Sequence, residues 1–278
     1  MLARVSSSDR CCDGRLRIMT ATVFDWSIIW QYRGELVGGM ATALEVAAVG
    51  LLISIVVGLA LAVGRMSRRP VSSLAALWIN VFRGVPALVS VLWVYFGWSL
   101  LLGINLSVFE AGVVALVLLY GAFLAEIFRS ALEAIPRGQR EAGMAVGLHR
   151  ARVFVHVVLP QAIKIAIPNV GSMFIGMVKT TSVFSVIGLL EVIHVTENIE
   201  ATTFQPFVLY TAAAAIYVAI AFLLDFAFRL FERSLSKPAT GGIAGWVMAR
   251  KRQRIALIAA RGTAVTGAAS VSGQGSAV

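Results

Sequence analysis

The chain has 278 residues, of which 59% are hydrophobic and only 14% are charged, and its mean hydropathy is +0.85. Soluble domains carry about 25% charged residues, so this composition excludes an ordinary soluble protein and indicates an integral membrane protein. The net charge of +10, from 24 Lys and Arg against 14 Asp and Glu, is typical of a membrane protein with basic cytoplasmic loops.

Residues 1–34 are predicted to form a polar extension followed by an interfacial segment. The first part lacks the apolar run of a signal peptide, and the aromatic residues that follow favour the level of the lipid headgroups. Translation starts at either Met1 or Met19, and the residues leave this choice open. The adjacent Cys11 and Cys12 predict neither a disulfide nor a metal site, and we expect no cofactor.

The region 35–232 contains five apolar segments that approach or exceed the roughly 20 residues needed to cross a bilayer. They cover about 40–64, 87–102, 108–128, 162–190 and 207–228. The second segment is short, and residues 71–82 before it are predicted to form an interfacial helix that ends ahead of Pro86. We expect an all-α bundle, because helices satisfy the backbone of an open chain in lipid.

The distribution of Lys and Arg predicts the orientation of the spans. Basic residues are concentrated in the connections at 65–70 and 129–164 and beyond residue 228, whereas 103–107 and 191–205 contain none. The N-terminus is therefore predicted outside and the C-terminus in the cytoplasm. Residues 233–278 are expected to be a disordered cytoplasmic tail, whose basic cluster at 250–254 contacts anionic lipid rather than nucleic acid.

The connection between the third and fourth spans ends with a polar segment, Glu141 to Pro160, that reads EAGMAVGLHRARVFVHVVLP. Its arginines exclude it from the hydrocarbon, where a central Arg costs about 2.5–3.5 kcal/mol. Glu141 to Val146 is predicted to form a short helix that ends at Gly147 in a positive-φ conformation. A second helical run follows, and Pro160 suits the first turn of the next helix. The segment therefore predicts a helix–turn–helix elbow outside the membrane.

The elbow resembles the cytoplasmic EAA loop of ABC-importer permeases, E-A-A-x3-G-x9-I-x-L-P. Its matching positions are Glu141, Ala142, Gly147, Leu159 and Pro160, while Gly143 stands for the second Ala and Val157 for the Ile. The resemblance implies a type I ABC importer permease bundle of about five transmembrane helices, with a coupling helix in the loop 133–160. Glu141, Ala142, Gly143, Gly147, Leu159 and Pro160 are then the residues expected to couple to an ATPase.

Further motifs resemble the polar amino acid branch of these permeases. Residues 82–86 (FRGVP) are similar to F-R-G-T-P, and residues 125–148 are similar to A-E-I-x-R, I-P-x-G-Q-x-E-A-A and G-L. Residues 179–188 are similar to K-x-T-S followed by S-V-I-G. The resemblance covers about 35–232 and implies an importer of polar amino acids or related solutes such as opines.

This resemblance also implies a bacterial inner-membrane location and a set of partners. Two cytoplasmic ATPases, an extracytoplasmic solute-binding protein and a second permease, identical or similar to this one, would complete the complex. The chain itself contains neither GxGxxG nor GxxxxGK[ST], so ATP hydrolysis is expected in the partner subunit. We therefore expect a transport subunit and not an enzyme, with no catalytic residue.

Two further sets of residues are candidates for transport. Lys179, near the middle of the fourth span, is expected to face protein or water, where its ammonium suits a solute carboxylate or an acid such as Glu45. Thr180, Thr181 and Ser182 are candidates for the same path, although Ser and Thr also pack membrane helices closely. Arg83 and Glu126, near the cytoplasmic ends of spans, form either a conformational ion pair or separate interfacial anchors.

Three alternatives remain open on the residues alone. The first is an importer whose solute belongs to another class of small organic molecule. The second is an ion-coupled secondary transporter, and the third is a membrane scaffold that works through its basic tail. A secondary transporter would be expected to show intramembrane acids or internal repeats, and only Glu45 fits. Truncation of the tail would abolish a scaffold and leave an importer active.

Overall fold

The computed structural model describes residues 24–235, and every regular element in that range is a helix. Contacts divide the chain between Glu232 and Arg233, and the account below concerns the compact part that ends at Glu232. The expectations for the N-terminal extension, the start site and the basic tail fall on residues 1–23 and 236–278, outside the described range. The helices are α1 Ser27–Gln31, α2 Arg33–Met66, α3 Val71–Gly84, α4 Ala87–Leu102, α5 Val108–Glu133, α6 Arg137–Ala145, α7 Arg150–Ile187, α8 Val192–Thr203 and α9 Pro206–Leu235.

The helices include the predicted set of spans. In the described range α2, α5, α7 and α9 are long and apolar enough to cross a bilayer, and α3 with α4 makes a fifth span if the bent pair is counted as one. The bend is 109° and falls at Val85 and Pro86. Val85 is extended (φ −86°, ψ 130°), as expected for a residue before proline. The all-α membrane bundle and the helix break at Pro86 are confirmed.

Small residues on α2 allow α5 to approach it closely. The small residues buried along α2 recur at helical spacing: Gly39, Ala43, Ala47, Gly50, Ser54 and Gly58. A Cβ added to Gly58 would lie 2.9 Å from Cβ of Leu124 on α5, too close without a backbone shift. This is the small-residue packing expected of membrane helices, and it forms the centre of the bundle.

The expectation that a separate helix begins near Pro160 is corrected. Pro160 lies in the first turn of the α-helical stretch Leu159–Thr180, as predicted, but this stretch continues the helix that begins at Arg150. Phe154–Val158 just before the proline forms a π-helical turn, which accommodates the missing N–H of Pro160 without breaking the helix. The second limb of the elbow and the membrane span are therefore one continuous helix.

The buried side chains form two clusters. The larger one joins α2, α4, α5 and α8 with the far end of α7. The smaller one lies where α5, the elbow and the start of α7 meet, and its members are Ala131, Ile135, Val153, Val158, Ala162 and Ala166. The smaller cluster gives the elbow a hydrophobic attachment of its own to the spans.

Candidate functional site

The first limb of the elbow, α6, ends as its sequence predicts. Gly147 has φ +84°, a left-handed conformation that L side chains rarely adopt. Leu148 N donates to Gly143 O at 3.2 Å and Gly147 N donates to Met144 O at 3.0 Å, which together form a Schellman motif. The motif satisfies the last carbonyls of α6 and reverses the chain towards α7.

Two contacts hold α6 against the spans. Gly143 is buried against Val153 of α7, and a Cβ at Gly143 would lie 2.9 Å from Cγ2 of Val153. Arg140 donates from Nη2 to Leu132 O at 3.0 Å, which satisfies a carbonyl in the last turn of α5. The small residue at position 143 is therefore required by close helix packing, and the anchoring role of Arg140 was not foreseen from the sequence.

The opposite face of α6 is free. Glu141 and Ala142 are exposed, and Glu141 makes no hydrogen bond or ion pair within the described residues. Val146 and Met144 beside them are 76% and 42% exposed, so apolar surface surrounds the carboxylate. Leu159 and Pro160 lie on α7, where Leu159 is partly buried and Pro160 is exposed. Exposed apolar side chains beside charged ones are typical of a surface that binds another protein.

Arg83 and Glu126 do not form the expected ion pair in this structure. Glu126 is instead paired with Arg129, whose Nε donates to Oε2 of Glu126 at 3.1 Å, and Arg129 also pairs with Glu133. The i,i+3 and i,i+4 spacing on one helix explains this preference, because the partners are neighbours on its surface. Arg83 lines the same cavity as Glu126, with its guanidinium carbon 5.5 Å from the centroid of the Phe123 ring.

The candidate path residues on α7 differ in exposure. Lys179 is exposed and has no ion pair, with Glu45 or any other described residue. Thr180 is half-buried and its hydroxyl lies 2.8 Å from the Tyr120 hydroxyl. Thr181 has no exposed surface and its hydroxyl donates to Val178 O at 2.7 Å, so in this structure Thr181 packs and does not line an open path.

Ser182 is half-buried and its hydroxyl donates to the carbonyl of Lys179 at 2.7 Å. This bond occupies its donor within α7. Lys179 is therefore the member of the predicted set whose polar group has no hydrogen bond or ion pair within the described residues, and Thr180 beside it shares a hydrogen bond with Tyr120.

A buried carboxylate beyond the far end of α7 was missed by the sequence analysis. Glu191 is fully buried and caps α8, accepting hydrogen bonds from Ile193 N and His194 N at 2.8 Å each. Tyr217 of α9 donates its hydroxyl to the same carboxyl group at 2.6 Å. Burial raises the pKa of Glu191 above its ordinary value, against the lowering effect of these donors.

The signal for this site was present in the sequence. An acidic residue directly precedes apolar residues at helical spacing, which is the pattern of a capped helix N-terminus. On the sequence alone, 191–205 is only a connection without Lys or Arg, and the helix α8 there was not predicted. Within the described residues no cluster of His, Cys, Asp or Glu is arranged to hold a metal ion.

These features define a class of protein: a helical membrane bundle with an elbow that exposes apolar side chains around a carboxylate. The family described as "Binding-protein-dependent transport system inner membrane component" matches residues 54–237, and the chain belongs to this family. It is thus a permease subunit of an ABC importer, a transport protein of the inner membrane and not an enzyme. The family implies partner ATPase and solute-binding proteins and permease dimers.

Individual relatives agree with this assignment. The chain is 35% identical to the glutamine transport system permease protein GlnP of Escherichia coli K12 over 214 residues, which cover 76% of this chain and 98% of that protein. It is 34% identical to the arginine ABC transporter permease protein ArtQ of Haemophilus influenzae, covering 69% and 92% of the two chains. The crystal structure of an amino acid ABC transporter with histidines contains a similar chain, with a TM-score of 0.72 and 33% identity over 76% of this chain and 98% of that one.

Proposed function

We propose that this permease imports polar amino acids and that the exposed face of α6 transmits the action of a separate ATPase. The observation that carries the coupling role is the state of Glu141. It is exposed, it makes no hydrogen bond or ion pair within the described residues, and its helix is fixed to the spans by one packing contact and one hydrogen bond. A side chain in that state is available to a second subunit.

The solute class follows from the relatives, which are named for glutamine and arginine. Both solutes carry an α-carboxylate and an α-ammonium group. Lys179 offers an exposed ammonium in the last third of α7, and a charge without an ion pair in a membrane helix is expected to serve a solute or ion path. We infer that Lys179 binds the solute carboxylate, with the Thr180 and Tyr120 hydroxyls beside it.

The remaining partners follow the same scheme. Two ATPases would bind the elbows of a permease dimer, identical or similar in its two subunits, and a solute-binding protein would bind the opposite side. The elbow side is then cytoplasmic, in agreement with the basic connections, and the N-terminus is outside.

The test is purification of the complex from its native membrane in mild detergent. We expect an ATPase to accompany the wild-type chain, and Glu141→Lys to lose it, with ATP-driven uptake of L-glutamine or L-arginine reduced about tenfold or more, because a central interface residue typically contributes about 2 kcal/mol. Arg68→Glu is the matched control, since Arg68 is an exposed charge of the basic connection between α2 and α3, outside the elbow.

Deletion of Glu141 to Gly147 should likewise separate ATP hydrolysis from uptake while the protein still inserts. Normal uptake by Glu141→Lys would contradict the coupling role. Uptake that needs no ATP would instead favour an ion-coupled transporter, and ATP-driven uptake of solutes other than amino acids would contradict the proposed solute class.

A further inference from the structure

A polar cavity lies where the end of α3 meets the second half of α5 and the first half of α7. Its volume is about 430 Å³, within the range of about 300–1,000 Å³ of small-molecule sites. The polar residues in its lining come from all three helices: Arg83 from α3, Glu126 and Ser130 from α5, and Asn169 from α7. These side chains are too polar for lipid, so this face is expected to contact water, solute or protein.

Arg83 is positioned in the cavity without using its hydrogen-bond donors. Its guanidinium lies 5.5 Å from the Phe123 ring centroid, a cation–π distance. Within the described residues Arg83 makes no side-chain hydrogen bond and no ion pair, so the five N–H groups of its guanidinium remain open to a ligand. A residue that only anchored the membrane interface would have no need of this contact with α5.

The other charged wall of the cavity is acidic. Glu126 shares Arg129 with Glu133, so two carboxylates surround one guanidinium and the cluster has a net negative charge. Asn169 donates from Nδ2 to Ile165 O at 3.1 Å, which leaves its side-chain carbonyl as an acceptor. The cavity thus presents an open cation on one helix and an anionic cluster on another.

We propose that this cavity is a second solute-binding site, on the elbow side of the transport path, for the α-carboxylate and α-ammonium groups of a zwitterionic amino acid. Arg83 binds the carboxylate, and Glu126 accepts the ammonium, assisted by the side-chain carbonyl of Asn169. The solute class rests on the proposed function.

Phe123 connects this cavity with the region around Lys179. Its ring is 6.1 Å from that of Tyr120, whose hydroxyl lies 2.8 Å from the Thr180 hydroxyl next to Lys179. Arg83 and Thr180, the residue after Lys179, therefore contact different members of one aromatic pair. In this proposal a solute released from Lys179 is received by Arg83.

The experiment is site-specific cysteine protection in the purified permease–ATPase complex. Cys11 and Cys12 are changed to Ser, and Ser130→Cys is introduced as a reporter inside the cavity. Labelling by a small maleimide is followed with and without L-glutamine or L-arginine. Ser67→Cys is the control reporter, because Ser67 is also exposed and, like Ser130, donates its hydroxyl to the carbonyl four residues earlier.

We expect the amino acids to slow labelling at position 130 and not at position 67. Arg83→Gln in the reporter background should raise the half-protecting concentration about tenfold or more, since a charged hydrogen bond contributes about 1.5–3 kcal/mol. Arg68→Gln, at an exposed charge outside both sites, should leave it unchanged. With the reporter alone, 4-aminobutanamide, which is glutamine without its α-carboxylate, should protect as poorly as L-glutamine does after Arg83→Gln.

Absence of protection at position 130 would overturn this inference, as would unchanged protection after Arg83→Gln or equal protection by 4-aminobutanamide. The analogue comparison needs no change at Arg83, so it decides the matter even if that variant folds poorly. Uptake by the intact complex tests the proposed function separately. Protection without uptake would support the binding site in the cavity and contradict the importer function. Uptake without protection would support the importer function and contradict the binding site.

Discussion

Two glutamates, one before α7 and one after it, occupy opposite environments. Glu141 on the elbow is exposed and makes no hydrogen bond or ion pair within the described residues. Glu191 beyond the far end is fully buried and accepts three hydrogen bonds, two of them from the backbone of α8 and one from Tyr217 of α9. The difference indicates that Glu191 serves the fold of this chain, whereas Glu141 is available to another subunit.

The largest effect is expected when each carboxylate is removed in turn, which tests the two roles directly. Glu191→Ala leaves two backbone N–H groups and one hydroxyl without an acceptor. Each of these groups that stays buried lowers the free energy of unfolding by about 1–3 kcal/mol. We expect the melting temperature in detergent to fall on the order of 10 °C. Glu141→Ala should change it little, because an exposed substitution away from special features typically alters stability by about 0.5 kcal/mol or less.

Measured uptake separates the two glutamates further, because Glu141→Ala should impair transport while the melting temperature stays unchanged. Equal melting temperatures for the two alanine variants would show that the Glu191 cap is not a stabilising feature. Tyr217→Phe provides an intermediate case, since it removes one of the three donors and keeps the ring.

A smaller effect is expected at the glycine that ends α6. Gly147→Val places a β-branched residue at φ +84°, which costs about 1–2 kcal/mol and disfavours the turn that orients the exposed face. We expect reduced uptake and a melting temperature lower by a few degrees. Gly138→Ala is the matched control on the same helix: a Cβ there meets nothing within 4 Å, so uptake should be normal and stability equal or slightly higher.

The smallest effect concerns pH. Burial raises the pKa of Glu191 above its ordinary value of 4.5, so the folded protein binds this proton more tightly than the unfolded chain. The contribution of this group to folding stability is fully present at pH values below the ordinary pKa, and it is lost as the pH rises through the raised pKa. The melting temperature of the wild type should therefore fall with pH in that window relative to Glu191→Gln. A constant difference between the two proteins across the window would contradict the raised pKa.

The elbow was predictable because its determinants are local. Gly147 ends α6 through hydrogen bonds that reach only five residues back, and such a motif can be recognised in a short window of sequence. The break at Pro86 is local in the same sense. Residues at these positions specify backbone conformation directly.

The features that sequence analysis missed depend on contacts between distant residues. Glu191 and Tyr217 are 26 residues apart, and the burial of both follows from the packing of α8 and α9 rather than from a motif. Pro160 occupies a first α-helical turn, as predicted, but the π-helical turn before it joins this stretch to the preceding one, so that no separate helix begins there. The partner of Glu126 was decided by spacing on one helix, in favour of Arg129 over the distant Arg83.

The continuity of α7 has a mechanical consequence. Its 38 residues form a rod roughly 57 Å long, nearly twice the thickness of the hydrocarbon layer. If such a rod tilts by about 10° around its midpoint, each end moves by about 5 Å, and the two ends move in opposite directions. In such a tilt, a displacement of the elbow end would be accompanied by an opposite displacement of the turn beside Glu191.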